Sequence, residues 1–123
     1  MALIAGAARD LVVPDPVAVE VDYLVRTRYS AEAARAFLEE LAAGTHRRHS
    51  LTSAAFARAV EIDRRYAALD LGLVDACVMA VAEAESAAIL TFDFAHFRAT
   101  VDEAGRPWRL VVDEDRYAAA LAH

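Results

Sequence analysis

The segment from Leu69 to Phe97 reads LDLGLVDACVMAVAEAESAAILTFDFAHF. A loop at its start leads into an apolar helix, which ends near Ala87 and carries one acid in apolar surroundings, Asp75. An apolar strand follows at 88–91, and a second acid, Asp93, lies at its exit. Acids at the entry of a helix and at the exit of a strand are typical of a metal site at the carboxyl edge of a parallel sheet.

Composition predicts one globular domain that spans residues 1–123. Hydrophobic residues make up 58% of the chain, which excludes a disordered protein. No apolar run approaches the ~20 residues of a membrane span, and no basic region precedes the start, so we expect a soluble, cytoplasmic protein without a membrane partner. The formal charge of −6 argues against a protein that coats nucleic acid by bulk electrostatics. The single cysteine, Cys77, excludes an internal disulfide and favours a core position.

Helical and strand patterns alternate along the rest of the chain, which predicts an α/β domain with a mainly parallel sheet flanked by helices. Asp15, Ser30 and Thr52 are the expected N-caps, with Pro16 at the first helical position. On the third helix, Phe56, Val60 and Tyr66 are expected on one apolar side. The expected helices are 1–8 (the end of a helix), 16–28, 31–43, 53–68, the apolar helix up to residue 87, 94–100 and 113–123, and the expected strands are 11–13, 47–51 at a sheet edge, 88–91 and 108–112.

Three acids lie where a solvated surface charge is not the simplest interpretation: Glu20 between two valines, Asp75 in the apolar helix, and Asp93 between two phenylalanines. A parallel sheet would bring them to one edge, where several carboxylates repel each other unless a cation or proton intervenes. Mg²⁺ or Mn²⁺, which prefer oxygen ligands, fit this pattern. The alternative is structural: Asp75 caps its helix, Asp93 caps the following turn, and Glu20 pairs with an arginine.

A family resemblance adds to this pattern. VEVDYL at 19–24, LGLVDA at 71–76 and ILTFD at 89–93, with Phe97, resemble the second, third and fourth acidic motifs of PIN-domain ribonucleases. The similarity is closest to VapC-type toxins of bacterial toxin–antitoxin pairs, and it runs from about residue 11 to 112.

The resemblance implies a three-layer PIN-like domain that cuts RNA with Mg²⁺ or Mn²⁺, in which the metal orients a water for attack on a phosphodiester. It also implies a homodimer neutralised by a small antitoxin. Residue by residue, it implies that Glu20, Asp75 and Asp93 are the catalytic and metal-binding acids, and that the hydroxyl of Thr91 touches the site.

The chain departs from the family pattern at its beginning. The family opens with a strand that ends in aspartate followed by Thr or Ser, and nothing of that kind precedes Leu11. Asp10 occupies a position where the family has a loop, so the first acid is not assigned to it. We therefore expect a domain that is N-terminally truncated relative to the family, through a late start codon or a decayed copy, or with the gap filled by another segment or subunit.

Three functions stay open on the sequence alone. The first is a Mg²⁺- or Mn²⁺-dependent endoribonuclease toxin, and the second is a catalytically impaired PIN-like module that binds an antitoxin or its own copy. The third is a metal hydrolase of a small phosphate ester; a nucleoside triphosphatase is excluded because the Gly-rich phosphate loop is missing.

RNA would be held by arginines, each more simply explained as a surface charge. His96 and Arg98 lie near Asp93, where they could meet a phosphate. The arginines considered are Arg26, Arg28, Arg47, Arg48, Arg64 and Arg65.

Overall fold

The computed structural model describes residues 2–5, 11–91 and 94–110. The chain combines short strands with helices, as the sequence predicts, but the two do not strictly alternate, because β1 is followed by β2 and α1 by α2. The strands are β1 (Ala2–Ala5), β2 (Leu11–Pro14), β3 (Arg47–His49) and β4 (Ala88–Thr91), and the helices are α1 (Asp15–Arg28), α2 (Ala31–Ala42), α3 (Ser53–Arg65), α4 (Gly72–Glu85) and α5 (Phe94–Arg98).

The strands form a sheet in the order β3-β2-β1-β4. β2 and β3 are parallel, with Val13 opposite Arg48, whereas β1 is antiparallel to both of its neighbours. β4 therefore runs in the same direction as β2 and β3, so the sheet is mainly parallel with one reversed strand. The predicted edge position of β3 is confirmed within this described sheet.

The prediction of a helix at the N-terminus is wrong. Ala2–Ala5 forms β1, which pairs with β4 from Ala2 opposite Thr91 to Ala5 opposite Ala88. Alanine favours helix in an isolated segment, but all four residues of β1 pair with β4, and Ile4 and Ala5 also lie opposite β2. Tertiary pairing therefore overrides the local preference.

Local signals correctly predict two of the three helix starts. The hydroxyls of Ser30 and Thr52 accept hydrogen bonds from the backbone amides three residues later, at 3.0 and 3.1 Å, and so cap α2 and α3. The expected cap at Asp15 is wrong, because α1 begins at Asp15 and its N-cap is Pro14, without a side-chain cap. Pro16 is then in the first turn, where its missing amide leaves no hydrogen bond unmade.

The apolar helix α4 forms the centre of the core. Its residues 76–82 are all buried, and it packs against α3 and α1 and against the sheet. A helix that is apolar all round is expected to be covered on every side, and residues 76–82 of α4 confirm this. Cys77 is fully buried within it, and burial raises the pKa of its thiol, so the prediction of a core cysteine is confirmed.

The predicted apolar side of the third helix is wrong. Phe56 and Val60 of α3 are 47% and 44% exposed, whereas Ala59 and Ile62 are buried in the core cluster. α3 packs against α4, and its small Ala59 side chain is fully buried. Tyr66 does pack against the core, and its hydroxyl accepts a hydrogen bond from the amide of Val101 at 3.1 Å.

A bidentate ion pair also joins α3 to α4. Arg58 donates from Nε and Nη2 to the two carboxylate oxygens of Glu83, at 3.1 and 2.9 Å. These hydrogen bonds raise the pKa of Arg58 above its usual value. Glu83 is only 12% exposed, so the pair satisfies a carboxylate that would otherwise be partly buried without a partner.

The end of the described chain returns to the sheet. The expected turn at 103–106 is confirmed: Asp102 accepts hydrogen bonds from the amides of Ala104 and Arg106, and Gly105 has a φ of +79°. Where the sequence predicts the last strand, the described residues form an isolated parallel bridge between Ile89 and Leu110 and no strand. The final residues of that predicted strand and the expected helix at 113–123 lie outside the described residues. No helix in the described part of the chain is long and apolar enough to cross a membrane.

Candidate functional site

Two of the three candidate acids are carried by helices at one edge of the sheet. β2 and β4 run in the same direction, so their carboxyl ends lie at the same edge. α1 begins directly after β2 and carries Glu20 in its second turn, whereas α4 leads back into β4 and carries Asp75 in its first turn. α1 packs against α4. The chain therefore presents Glu20 and Asp75 from two helices that are in contact.

Glu20 has an unusual environment for a carboxylate. Its side chain is partly buried, and within the described ranges its Oε2 atom is buried without a hydrogen-bond partner. The alternative that Glu20 pairs with an arginine is not observed among these residues. A buried carboxylate oxygen without a partner is unfavourable, by about 1–3 kcal/mol or more. Glu20 is therefore suited to bind a cation that supplies the missing partner.

Asp75 is held by a histidine from a different element. Its Oδ2 lies 2.6 Å from Nδ1 of His96 on α5, and the two side chains are 18% and 28% exposed. The alternative that Asp75 caps its helix is wrong, because the N-cap of α4 is Leu71 and no side chain caps it. The contact of His96 with a phosphate stays a prediction, and in the structure Nδ1 of His96 faces Asp75.

Two linked hydrogen bonds hold the backbone of His96 in place. Thr100, only 2% exposed, donates from its hydroxyl to the carbonyl of His96 at 2.9 Å. The same hydroxyl accepts a hydrogen bond from Nε1 of Trp108, also at 2.9 Å. Sequence reasoning missed this network. The only local signal was a threonine and a tryptophan on either side of a short polar turn.

Thr100→Val should destabilise the protein by about 1–3 kcal/mol, because it keeps the shape of the side chain but leaves Nε1 of Trp108 without an acceptor. Urea unfolding measures this change. Thr27→Val is the matched control, since the exposed Thr27 hydroxyl bonds, among the described residues, to carbonyls of its own helix. We expect the control to change the free energy of unfolding by less than about 0.5 kcal/mol. Equal effects of the two substitutions would contradict a structural role for the Thr100–Trp108 hydrogen bond.

Asp93 lies outside the described residues, between the end of β4 and the start of α5. The side chain of Thr91 is not described either. Among the residues that the structure does describe, no group of three or more acids, histidines or cysteines is placed to hold a metal ion. The convergence of Glu20, Asp75 and Asp93 therefore stays a prediction. Glu20 and Asp75 themselves fit a hard divalent cation, because they offer carboxylate oxygens and Oε2 of Glu20 has no hydrogen-bond partner among the described residues.

Several of the arginines considered for RNA binding have partners on the protein surface. Arg26 pairs with Asp22 at 2.8 Å, and Arg48 lies 3.3 Å from Asp15. Arg47 lies 3.6 Å from Glu85. These pairs are exposed and contribute little to stability, so the arginines can exchange their partners for phosphates.

Comparison with known proteins identifies the fold. The family model described as PIN domain matches residues 1–102. The chain belongs to the PIN domain family. A curated relative, Ribonuclease VapC26 of Mycobacterium tuberculosis, is 36% identical over 97 residues, which cover 78% of this chain and 72% of the relative. The resemblance in the sequence to PIN domains and to VapC proteins is thereby confirmed.

Membership of the PIN family agrees with the α/β architecture. The family match includes Glu20, Asp75 and Asp93, and it also includes β1, which lies between β2 and β4. In this PIN domain, β1 reads Ala2-Leu3-Ile4-Ala5 and contains no carboxylate.

Proposed function

We propose that this PIN domain is an endoribonuclease that requires Mg²⁺ or Mn²⁺ and acts as the toxin of a toxin–antitoxin pair. The observation that carries the proposal is the 36% identity to a curated ribonuclease over most of both chains. The structure supports it through two partly buried acids on adjoining helices, one of which has an oxygen without a hydrogen-bond partner in the part of the chain that the structure describes.

Glu20, Asp75 and Asp93 are the residues proposed to hold the cation. When bound, the cation supplies positive charge that stabilises the developing charge on a phosphodiester and activates a water for attack. The chain's own contribution is to bring carboxylates together and to limit their exposure, because electrostatic interactions strengthen as water is excluded. Asp75 is 18% exposed and is held by His96, so its position is defined before a ligand arrives.

The proposed substrate is RNA, recognised through its phosphates. Arginines at the end of α1 and on β3 are exposed and held in exchangeable ion pairs. The net charge of −6 favours contact through such local groups over a general attraction to nucleic acid.

The proposed protein partners are a small antitoxin and a second copy of the chain. Exposed apolar side chains on α1 and α3 are suited to such contacts, since an uncovered aromatic residue gains free energy when an interface buries it. Tyr23 is 66% exposed and Val19, one helical turn before it, is 72% exposed. Phe56 and Val60 form a similar pair on α3.

A second function is favoured by one observation. In the family pattern, the first strand ends in the first acid of the site. In this chain β1, which lies between β2 and β4, contains no acid. A site that lacks one of four acids binds its cation more weakly and positions water less well. The alternative is therefore a catalytically impaired module that acts by binding an antitoxin or its own copy.

The purified 123-residue chain should bind Mn²⁺ in calorimetry and cut a structured RNA in Mg²⁺ or Mn²⁺ but not in EDTA. Cleavage should stop when EDTA is added, because the carboxylates alone cannot stabilise the developing charge. A folded chain that binds no Mn²⁺ would contradict metal dependence. Binding without cleavage would favour the impaired module.

A further inference from the structure

The contact between His96 and Asp75 joins two elements that are far apart in sequence. Nδ1 of His96 lies 2.6 Å from Oδ2 of Asp75, which is short for a nitrogen–oxygen hydrogen bond and typical of one assisted by charge. Nδ1–H is present both in the imidazolium and in one neutral tautomer, so the histidine can donate to the carboxylate in either state.

The backbone that carries His96 is itself fixed. The carbonyl of His96 accepts a hydrogen bond from the buried hydroxyl of Thr100, which in turn is held by Trp108. The next residue along the chain, Phe97, is 2% exposed and belongs to the core cluster. The imidazole thus extends from an anchored position toward Asp75, and it restrains the carboxylate more strongly than a mobile surface side chain would.

The two described acids differ in this respect. Oε2 of Glu20 is buried without a partner among the described residues, whereas one oxygen of Asp75 is occupied by His96. Carboxylates that bind metals are commonly hydrogen-bonded by a second group that fixes their orientation, and loss of that group typically weakens metal binding by about 10–100-fold. His96 is placed to be such a group.

We propose that His96 is a positioning residue, which holds Oδ2 of Asp75 by a hydrogen bond and so fixes the carboxylate for the divalent cation. This inference rests on the proposed function, because it requires Asp75 to be a metal ligand. It assigns to His96 a role in cation affinity that does not require contact with RNA.

The test measures Mn²⁺ affinity by calorimetry for three variants and the wild type at one pH. His96→Phe keeps a ring but removes the donor, and its affinity should fall by about 10–100-fold. His96→Asn carries an N–H the same number of bonds from Cβ as Nδ1, and it should recover most of the loss. Tyr66→Phe is the control: it removes the hydroxyl that holds Val101 without touching Asp75, so the Mn²⁺ affinity should be unchanged even if the Tm falls.

The same variants separate affinity from rate. In RNA cleavage, His96→Phe should need more Mn²⁺ than the wild type to reach half of its maximal rate. At saturating Mn²⁺, the variant should recover most of the wild-type rate. If His96→Phe lowers the Tm more than Tyr66→Phe does, His96→Ala replaces it, with the same expected loss of affinity.

Each contrary result has a distinct meaning. A wild-type chain that binds no Mn²⁺ overturns the proposed metal site and this inference with it. Wild-type binding with equal affinity in His96→Phe overturns the role of His96 alone. An affinity in His96→Asn as low as in His96→Phe overturns positioning by a hydrogen bond.

Discussion

Asp75→Asn is expected to weaken Mn²⁺ binding on the order of 10²–10³-fold and to reduce RNA cleavage accordingly. Two unit charges about 4 Å apart interact by about 4 kcal/mol at an effective dielectric constant of ~20, which is about a thousandfold in affinity. Asparagine has nearly the same shape and can still accept a hydrogen bond from His96. The fold should therefore persist, and calorimetry on the folded variant measures the loss of one negative charge.

Asp63→Asn is the matched control for this substitution. Asp63 is an exposed acid on α3, and solvent and salt screen a charge in such a position. Its removal should leave Mn²⁺ affinity unchanged at physiological ionic strength. If the two variants bind Mn²⁺ equally well, Asp75 is not a ligand.

Phe97→Ala is expected to reduce the free energy of unfolding by about 3–5 kcal/mol. Phe97 is one of the largest fully buried side chains, so truncation removes apolar contacts and leaves a cavity in the core. A loss of this size is a large part of the ~5–15 kcal/mol that stabilises a typical domain. Urea unfolding followed by circular dichroism measures it, and Phe97→Leu serves if the alanine variant does not fold.

Phe56→Ala makes the same chemical change on the surface of α3. Phe56 is 47% exposed, and its truncation should cost less than about 1 kcal/mol. This pair also tests the orientation of α3, because the apolar pattern of the sequence placed Phe56 in the core. A loss as large as that of Phe97→Ala would contradict the exposed position.

Features with a local cause could be predicted from the sequence. The caps at Ser30 and Thr52 need only a hydroxyl and an amide three residues later. The burial of α4 follows from a helix that is apolar on every side. The turn at 103–106 likewise depends on the Asp102 side chain and a glycine with positive φ.

Features that depend on distant neighbours could not be predicted in this way. β1 is a strand because β2 and β4 lie on either side of it, and nothing in Ala2–Ala5 itself indicates those partners. The buried face of α3 includes Ala59, a residue whose small side chain carries little hydrophobic signal. Apolar periodicity favours the larger Phe56 and therefore indicates the wrong side.

In the candidate site, too, local features could be predicted from the sequence and contacts between distant residues could not. Motifs in the sequence single out Glu20 and Asp75, and the structure gives both of them partly buried positions on helices in contact. The partner of Asp75 could not be inferred, because His96 is separated from it by the end of one helix, a strand and the start of another. Asp93 remains a prediction from the motifs alone.

The position of β1 has a consequence for how the chain folds. In the described sheet β1 is hydrogen-bonded to both β2 and β4, and its pairing with β4 joins residues about 90 positions apart in the sequence. Closing so long a loop costs conformational entropy before the contacts formed can offset it, and contacts of high sequence separation slow folding. During synthesis, β1 and β2 can associate early, but the sheet is complete only after the ribosome has released β4.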